Sequence, residues 1–549
     1  MVIVCKGKYF EALVVLVVVV FAVLLRVVLV ALGWPPLDSD EGIWGLMGMH
    51  IAYKGERPIF LYGQTYMGAF EAYLHGIMFL LFGVSAFTLR LGQIFMFGGF
   101  LVAIYFLSRL LYSRQLALLV LVLLSFGSST MITRELLAYG ESVETMLFGT
   151  LLMLMASWLV LTLHKSDAWG YRRLFVYCVY GWVAGLSLWT VLLTVPFVFI
   201  SGLLLLFFCW RELLGWKGFW LVVFFVAGVF PMLIFELLAP PGQDILSVMS
   251  DVHSVGGLVT SFSQKFAGAF HIALPIATGA NPICGLLEAK VISFTNLNAS
   301  ACTYIHTIWP LGIVILWCFA FIKMVRALVG RERVVLSVCR IALLLTGGMT
   351  MLFYVTSSNA AVYPIITTRY LVGLFVSFPA LLWVLWDSKF FPVVKLGILS
   401  LVGVTYLIGT LSIFTGIDKI TILPEDKQGR MSMQINDKRL DLSAAQRWNN
   451  QQHELINKLL HMGIRNIYSD YWTCNWLMFK SNERIYCSVL SDDLSGGYNR
   501  YFLYDSVVRG DRGAAFVFPI DSIQASVFRR KYNLSEYRYF SFDGYDVYR

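Results

Sequence analysis

About eleven separate runs of some twenty apolar residues recur along this chain, and no motif limits its fold as tightly as that repetition. In the hydrocarbon of a bilayer only helices and closed barrels satisfy their own backbone polar groups, and a helix needs roughly twenty apolar residues to cross. The runs fall at residues 11–32, 87–108, 115–132, 142–163, 174–190, 192–209, 218–238, 304–322, 335–355, 370–386 and 392–416. With 58% of its 549 residues hydrophobic and 14% charged, the sequence carries more apolar surface than a water-soluble core would hide. It predicts an α-helical polytopic membrane protein with about eleven transmembrane helices over residues 1–416, and a C-terminal soluble α/β domain over 417–549.

The first run, Glu11 to Leu32, follows Lys6 and Lys8. It is longer than the apolar stretch of a secretory signal and has no small-residue cleavage site, so a retained anchor is expected. The net charge of +9 is spread through short connections and forms no stripe, so no nucleic-acid partner is expected. With the N-terminus placed in the cytoplasm, the even-numbered connections carry Arg109 and Arg114, then Lys165, Arg172 and Arg173, then Arg211 and Lys217. Lys323, Arg326, Arg331 and Arg333 follow, then Lys389 and Lys395, and the positive-inside rule is met at each. The opposite connections, 33–86, 133–141, about 239–303 and 356–369, are poorer in Lys and Arg for their length. An odd number of spans then makes the C-terminal domain extracytoplasmic. The hairpin between 174 and 209 could instead be re-entrant without changing that parity.

Four of the nine cysteines, Cys284, Cys302, Cys474 and Cys487, fall on that outer side, each pair within one segment. Disulfides and free thiols are both open readings there. The other five lie in or near spans and read as small hydrophobes.

The connection 33–86 is too apolar for an ordinary solvated loop. Ile43, Trp44, Met47 and Ile51 recur at helical spacing, which predicts an amphipathic interfacial helix after Asp40, and a second is expected from about Thr65 to Phe82. Asp38, Asp40 and Glu41 gather where the first span meets this helix. Carboxylates beside hydrocarbon are costly and usually face a cavity, a partner or a substrate. Helix capping explains one of them, not three. Gly42, Gly45 and Gly48 follow no strand, so they make no phosphate loop and point to close helix packing. The connection TRELLAYGESVET adds Arg134, Glu135, Glu141 and Glu144. Arg134 is a candidate partner for an anionic substrate and Glu141 for a cation or hydroxyls; the alternative is that these residues pair with one another. Arg369 and Tyr370, at the start of a late span, are either an interfacial anchor or a phosphate clamp.

In order along the chain, Asp40-Glu41 after the first span, Gly55-Glu56, the YGQTYMG segment, Arg134 to Glu141, and Arg369-Tyr370-Leu371 resemble the outer-loop motifs of GT-C-fold membrane glycosyltransferases. The protein O-mannosyltransferases and lipid A aminoarabinose transferases are the most similar groups. The likeness implies transfer of a sugar from a polyprenyl-phosphate donor to a glycan, lipid or protein acceptor on the extracytoplasmic face of the bilayer. It implies catalytic roles for Asp40, the base, and Glu41. It implies substrate-binding roles for Asp38, Gln64, Tyr66, Glu71, Arg134, Glu141, Arg369 and Tyr370. Where relatives carry a Lys- or His-Pro-Pro element, this chain has Met67-Gly68-Ala69-Phe70-Glu71, so the phosphate contact falls to Arg134 or Arg369. No cofactor is specified, and a divalent cation is left open.

Beyond residue 416, HELINKLLHMGIRNIYSDYW reads as a helix, a Gly turn and a strand, and RIYCSVL and AAFVFPI as two further strands. Asp470, Trp472, Asp492 and Asp493 stand out there without a spacing that specifies chemistry. The competing reading of the whole chain is a transporter or flippase of lipid-linked glycans. Such proteins place polar residues at broken helices near mid-membrane, whereas the acidic residues here crowd one interface.

Overall fold

The computed structural model describes residues 2–165, 170–239, 242–255, 257, 260–280, 301–387, 392–415, 441–542 and 544–549. All eleven apolar runs are helical: α1 (Val2–Ala31), α4 (Ala86–Leu111), α5 (Arg114–Ser125) with α6 (Ser129–Leu136), α7 (Ser142–Leu161), α8 (Gly170–Thr190), α9 (Val195–Phe208), α10 (Trp216–Leu238), α11 (Ala301–Val329), α12 (Val334–Thr356), α13 (Leu374–Trp386) and α14 (Pro392–Thr415). The first loop holds α2 (Ser39–Met49) and α3 (Phe70–Phe82). Among the described residues, seven of these helices are long and apolar enough to cross a membrane: α1, α4, α7, α10, α11, α12 and α14. Leu13, Leu16, Val17 and Leu24 on α1, and Phe219, Val222 and Phe230 on α10, stand exposed in rows that belong against lipid. The chain is an integral membrane protein.

The expected third span is broken: α5 and α6 meet at a bend of 88°. Three backbone positions leave the helix there, and apolar surroundings would make their lost hydrogen bonds costly. The Thr410 hydroxyl answers that need. It accepts from the Gly127 amide and donates to the Gly127 carbonyl, both at 3.1 Å. Ser128 then accepts from the Met131 amide, capping α6.

The chain divides into two compact units. The first comprises Met1–Arg26, Ile94–Glu135 and Gly140–Ile422. Within it, α8 and α10 approach until backbone meets backbone: a Cβ on Gly181 would lie 2.2 Å from the Leu221 carbonyl oxygen, and one on Gly185 2.1 Å from that of Phe225. A Cβ on Gly228 of α10 would likewise lie 2.5 Å from the Trp182 carbonyl oxygen. Glycine four residues apart on one helix is what permits this approach in lipid, where apolar side chains gain little by leaving the solvent.

The second unit comprises Val27–Gln93, Leu136–Tyr139 and Leu423–Arg549. The loop after the first span thus packs with the C-terminal segment as one body. That segment contains α15 (Leu442–His461), α16 (Tyr471–Lys480), α17 (Phe502–Gly510) and α18 (Ile523–Lys531) around a five-stranded sheet. Its strands are β1 (Asn466–Ser469), β2 (Tyr486–Val489), β3 (Ala515–Pro519), β4 (Tyr539–Phe542) and β5 (Tyr545–Tyr548), in the order β2-β1-β3-β5-β4. β1 runs parallel to β2 and β3, while β5 is antiparallel to β3 and β4. Leu490, Leu494, Phe518, Ala525, Phe528 and Tyr548 form the core on this sheet. The α/β reading and its three expected strands hold; β4 and β5 add an antiparallel ribbon.

Two expectations for the first loop are corrected. α2 presents no amphipathic face, because every residue in it except Asp40 is buried. The glycines explain why. A Cβ on Gly42 would lie 2.5 Å from the backbone of Asn475 and Trp476, one on Gly45 2.5 Å from the Phe479 ring, and one on Gly48 2.9 Å from His75 Cβ. α16 and α3 therefore both pack closely against the glycine row of α2. The second helix begins at Phe70, not Thr65. Residues 59–69 instead form a tight reversal in which Leu61 bonds Met67 and Ala69 bonds Ile59, with a bridge between Phe60 and Gly68. Cys474 and Cys487 are joined by a disulfide between α16 and β2; Cys284, the partner expected for Cys302, lies outside the described residues.

Candidate functional site

The three acidic residues after the first span take three different positions. Asp38 is the N-cap of α2: its Oδ1 accepts from the Glu41 amide at 2.9 Å, and its Oδ2 accepts from the Tyr139 hydroxyl. Glu41 is completely buried and gripped by Arg90, through Nε to Oε1 at 2.9 Å and Nη2 to Oε2, while the Ala138 amide donates to Oε1 at 3.0 Å. Asp40 alone keeps part of its side chain exposed, 24%. The Tyr471 hydroxyl donates to its Oδ1 at 2.7 Å, and Arg500 Nη2 stands 3.6 Å from the same oxygen. Oδ2 meets no donor among the described residues.

Behind this acidic turn is a buried polar layer. Lys480, at the end of α16, donates to Asn449 Oδ1 at 2.9 Å and to Gln452 Oε1, and Gln452 donates to the Leu37 carbonyl at 3.3 Å. Burial, with the Arg90 charge adding to it against Glu41, pushes the Lys480 ammonium down to about 7. Further along, His50 is enclosed, with Nδ1 3.0 Å from the Tyr62 hydroxyl and Nε2 2.8 Å from both Glu483 and the Tyr504 hydroxyl. Burial alone would push the Glu483 carboxyl up; hydrogen bonds from His50, Lys54 and Tyr504 outweigh it and hold it at about 2. Of the other candidates in this unit, Gln64 and Tyr66 lie half-buried in the 59–69 reversal, and Glu71 is buried on α3 with His75 Nε2 3.3 Å away, one helical turn on.

The acidic residues noted in the C-terminal segment serve the fold. Asp470 is buried and caps α16, accepting from the amides of Trp472 and Thr473. Asp493 accepts from Ser495 in a turn, and Asp492 from Gln524.

In the first unit, four candidates gather: Arg134, Glu141, Arg369 and Tyr370. Arg369 Nε lies 2.8 Å from Glu141 Oε1, and its guanidinium sits over the Tyr370 ring, 5.5 Å from the centroid. Arg134 Nη2 donates to the Ile366 carbonyl at 3.1 Å and is 3.5 Å from Thr368 Oγ1. A short 3₁₀ stretch, Ile366–Leu371, therefore carries Arg369 and Tyr370 beside α6 and the start of α7, with two guanidiniums and a carboxylate together. Glu135, from the same acidic connection, is spoken for elsewhere. Arg26, the one charged residue between Ala12 and Ala31 of α1, binds it through Nη2 at 2.6 Å and Nε at 3.1 Å, and rests on the Phe97 ring. Among the described residues no three His, Cys, Asp or Glu side chains gather as a metal site.

Sequence reading missed Arg26, Arg90, Tyr471 and Arg500. A lone arginine inside an apolar run is itself a signal, since it requires a partner there, and it applied to Arg26. Nothing in the spacing joins Tyr471 to Asp40 across a separation of 431 residues.

No family model and no curated relative matches the sequence. Among solved structures, ArnT from Cupriavidus metallidurans bound to undecaprenyl phosphate is similar, with a TM-score of 0.53 and 12% identity over 96% of this chain and 97% of that one. The archaeal oligosaccharyltransferase AglB from Archaeoglobus fulgidus, in complex with an inhibitory peptide and a dolichol-phosphate, gives a TM-score of 0.47 and 14% identity over 99% of this chain and 74% of that one. The first of these likenesses carries the statement about fold. The chain has a GT-C-like architecture, a polytopic helical membrane region with a C-terminal domain, as its motifs implied.

Proposed function

We propose that this GT-C-like protein is a membrane glycosyltransferase that moves a sugar from a polyprenyl-phosphate donor to an acceptor hydroxyl at the extracytoplasmic face. One observation carries the reading: of the three acidic residues that follow the first span, Asp38, Asp40 and Glu41, Asp40 alone is partly exposed, with Oδ1 held and Oδ2 meeting no donor among the described residues. A carboxylate so placed suits a base. The acceptor oxygen attacks the sugar C1, the bond from C1 to the phosphate oxygen breaks, and the acceptor's proton passes to Asp40 Oδ2. Polyprenyl phosphate departs as an anion, so no general acid is required, in contrast to the paired carboxylates of glycoside hydrolysis.

The other roles follow from chemistry. Arg134 and Arg369 bind the donor phosphate, where guanidinium geometry matches phosphate oxygens and offsets the charge that builds on the leaving group. Glu141 orients Arg369 and offers an acceptor to sugar hydroxyls. Asp38 and Glu41 fix the helix turn that presents Asp40. Gln64, Tyr66, Glu71 and Tyr370 complete the substrate contacts. In this reading residues 1–416 form the transferase domain and residues 417–549 an extracytoplasmic soluble domain.

The experiment is a transfer assay in proteoliposomes with a polyprenyl-phosphate sugar labelled in the sugar. Label leaving the lipid with release of free polyprenyl phosphate supports the enzyme. Label crossing the bilayer still joined to its lipid would instead establish a flippase.

A further inference from the structure

The C-terminal segment reaches the acidic turn with two side chains. Tyr471, the first residue of α16, donates its hydroxyl to Asp40 Oδ1 at 2.7 Å and receives Arg500 Nε at 2.6 Å. The contact is thus a chain from guanidinium to phenol to carboxylate, in which each bond polarises the next. Arg500 is fixed in turn: its side chain is only 8% exposed, it sits 5.5 Å from the centroids of both the Tyr471 and Tyr498 rings, and its Nη1 faces the Tyr62 carbonyl at 3.4 Å. Tyr471 is anchored at its backbone as well. Ser39, beside Asp40, donates its hydroxyl to the Tyr471 carbonyl and accepts from the Asn475 amide at 3.3 Å.

Glue between two segments does not require this arrangement. A pair serving only cohesion would gain most by engaging both carboxylate oxygens, as Arg90 does with Glu41. Tyr471 and Arg500 instead both address Oδ1. The carboxylate is thereby held in one rotation with its second oxygen outward. Burial, reinforced by the Asp40 charge, pushes the Tyr471 hydroxyl far up, so it remains a donor at every physiological pH.

We propose that Tyr471 and Arg500 are positioning residues for the transfer reaction, holding Asp40 through Oδ1 so that Oδ2 receives the acceptor's proton; this rests on the reading of Asp40 as the base. The C-terminal segment then contributes directly to catalysis.

The test compares Tyr471→Phe, Arg500→Gln, Arg500→Lys and Asp40→Asn in the proteoliposome assay, each scaled to the monodisperse folded fraction. Tyr471→Phe removes one oxygen from a side chain whose ring stays packed, and keeps the test available if an Arg500 variant fails to fold. A base held loosely costs rate, not donor affinity, so Tyr471→Phe and Arg500→Gln should each lower kcat about tenfold to a hundredfold with donor KM within about twofold. Arg500→Lys should recover part of that loss. Wild-type kcat in both Tyr471→Phe and Arg500→Gln, with Asp40→Asn inactive, overturns the positioning roles and spares the base. Unchanged kcat with a raised donor KM overturns them too, and makes the pair donor contacts. Near-normal transfer by Asp40→Asn removes the premise itself.

Discussion

Glu41 and Arg90 form a two-pronged ion pair with side chains 0% and 2% exposed, and the Ala138 amide completes the coordination of Glu41 Oε1. The two acidic neighbours Asp40 and Glu41 therefore differ in kind. Glu41 is a strut that fixes the turn, and Asp40 is the group that turn presents.

Glu41→Gln should accordingly fail through the fold. Removing one charge leaves the Arg90 guanidinium buried without its counter-ion, at a cost of about 3–5 kcal/mol. Thermal unfolding in detergent should show a large drop for Glu41→Gln and little change for Asp40→Asn. Equal melting temperatures for wild type and Glu41→Gln would contradict the strut.

Arg134 and Arg369 are expected to act on the donor. Arg134→Gln and Arg369→Gln should each raise donor KM or lower kcat/KM by roughly tenfold to a hundredfold, the range of a lost charge-assisted contact. A phosphate-free lipid of equal length should compete no differently with wild type and variants. Glu141→Gln releases Arg369 from its partner, so its effect should be read together with Arg369→Gln in a double-mutant cycle and should not add.

Two groups of the second unit set opposite pH windows. Glu483 sits at about 2 against an ordinary 4.5, so its stabilisation is present above 4.5 and is lost as pH falls from 4.5 toward 2. The difference in melting temperature between wild type and Glu483→Gln should shrink across that window. Lys480 sits at about 7 against 10.5, so the unfolded chain holds a proton that the folded one has released between those values. Stability from this group therefore rises from pH 7 to 10.5, and Lys480→Met should flatten the rise. A Lys480→Met profile parallel to wild type would refute the second assignment.

The Cys474–Cys487 disulfide closes a loop with a sequence separation of 13 and ties α16, which carries Tyr471, to β2. Loops of this size stabilise by about 3 kcal/mol. Cys487→Ser, or reductant, should lower the melting temperature and reduce transfer in proportion to unfolding, with donor KM preserved in the folded fraction.

Most of the membrane region was legible because its cause is local: runs of apolar residues specify helices wherever lipid is the solvent, and all eleven runs are helical. The order of helix, Gly turn and strands in the C-terminal segment was legible for the same reason, from period and turn residues. The break between α5 and α6 was not, because the Thr410 hydroxyl that sustains it comes from the last span. Nor was the full burial of α2: Ile43, Trp44, Met47 and Ile51 imitate the single apolar face of an interfacial helix, and only the structure shows the glycine row, expected to pack closely, covering another side as well. In the charged clusters, sequence supplied Asp40, Arg134, Glu141 and Arg369 but none of the side chains that hold Asp40 or neutralise Glu41 and Glu135. Partners so distant in sequence leave no local pattern.

The proposed role of Asp40 as the base of a glycosyl transfer is open to a single substitution. Asp40→Asn keeps the shape, keeps an oxygen for Tyr471 and removes the basic group, so release of polyprenyl phosphate by the reconstituted variant tests it most directly. The kcat should fall about a hundredfold or more with the melting temperature essentially kept. Release at the wild-type rate by a folded Asp40→Asn protein would contradict it.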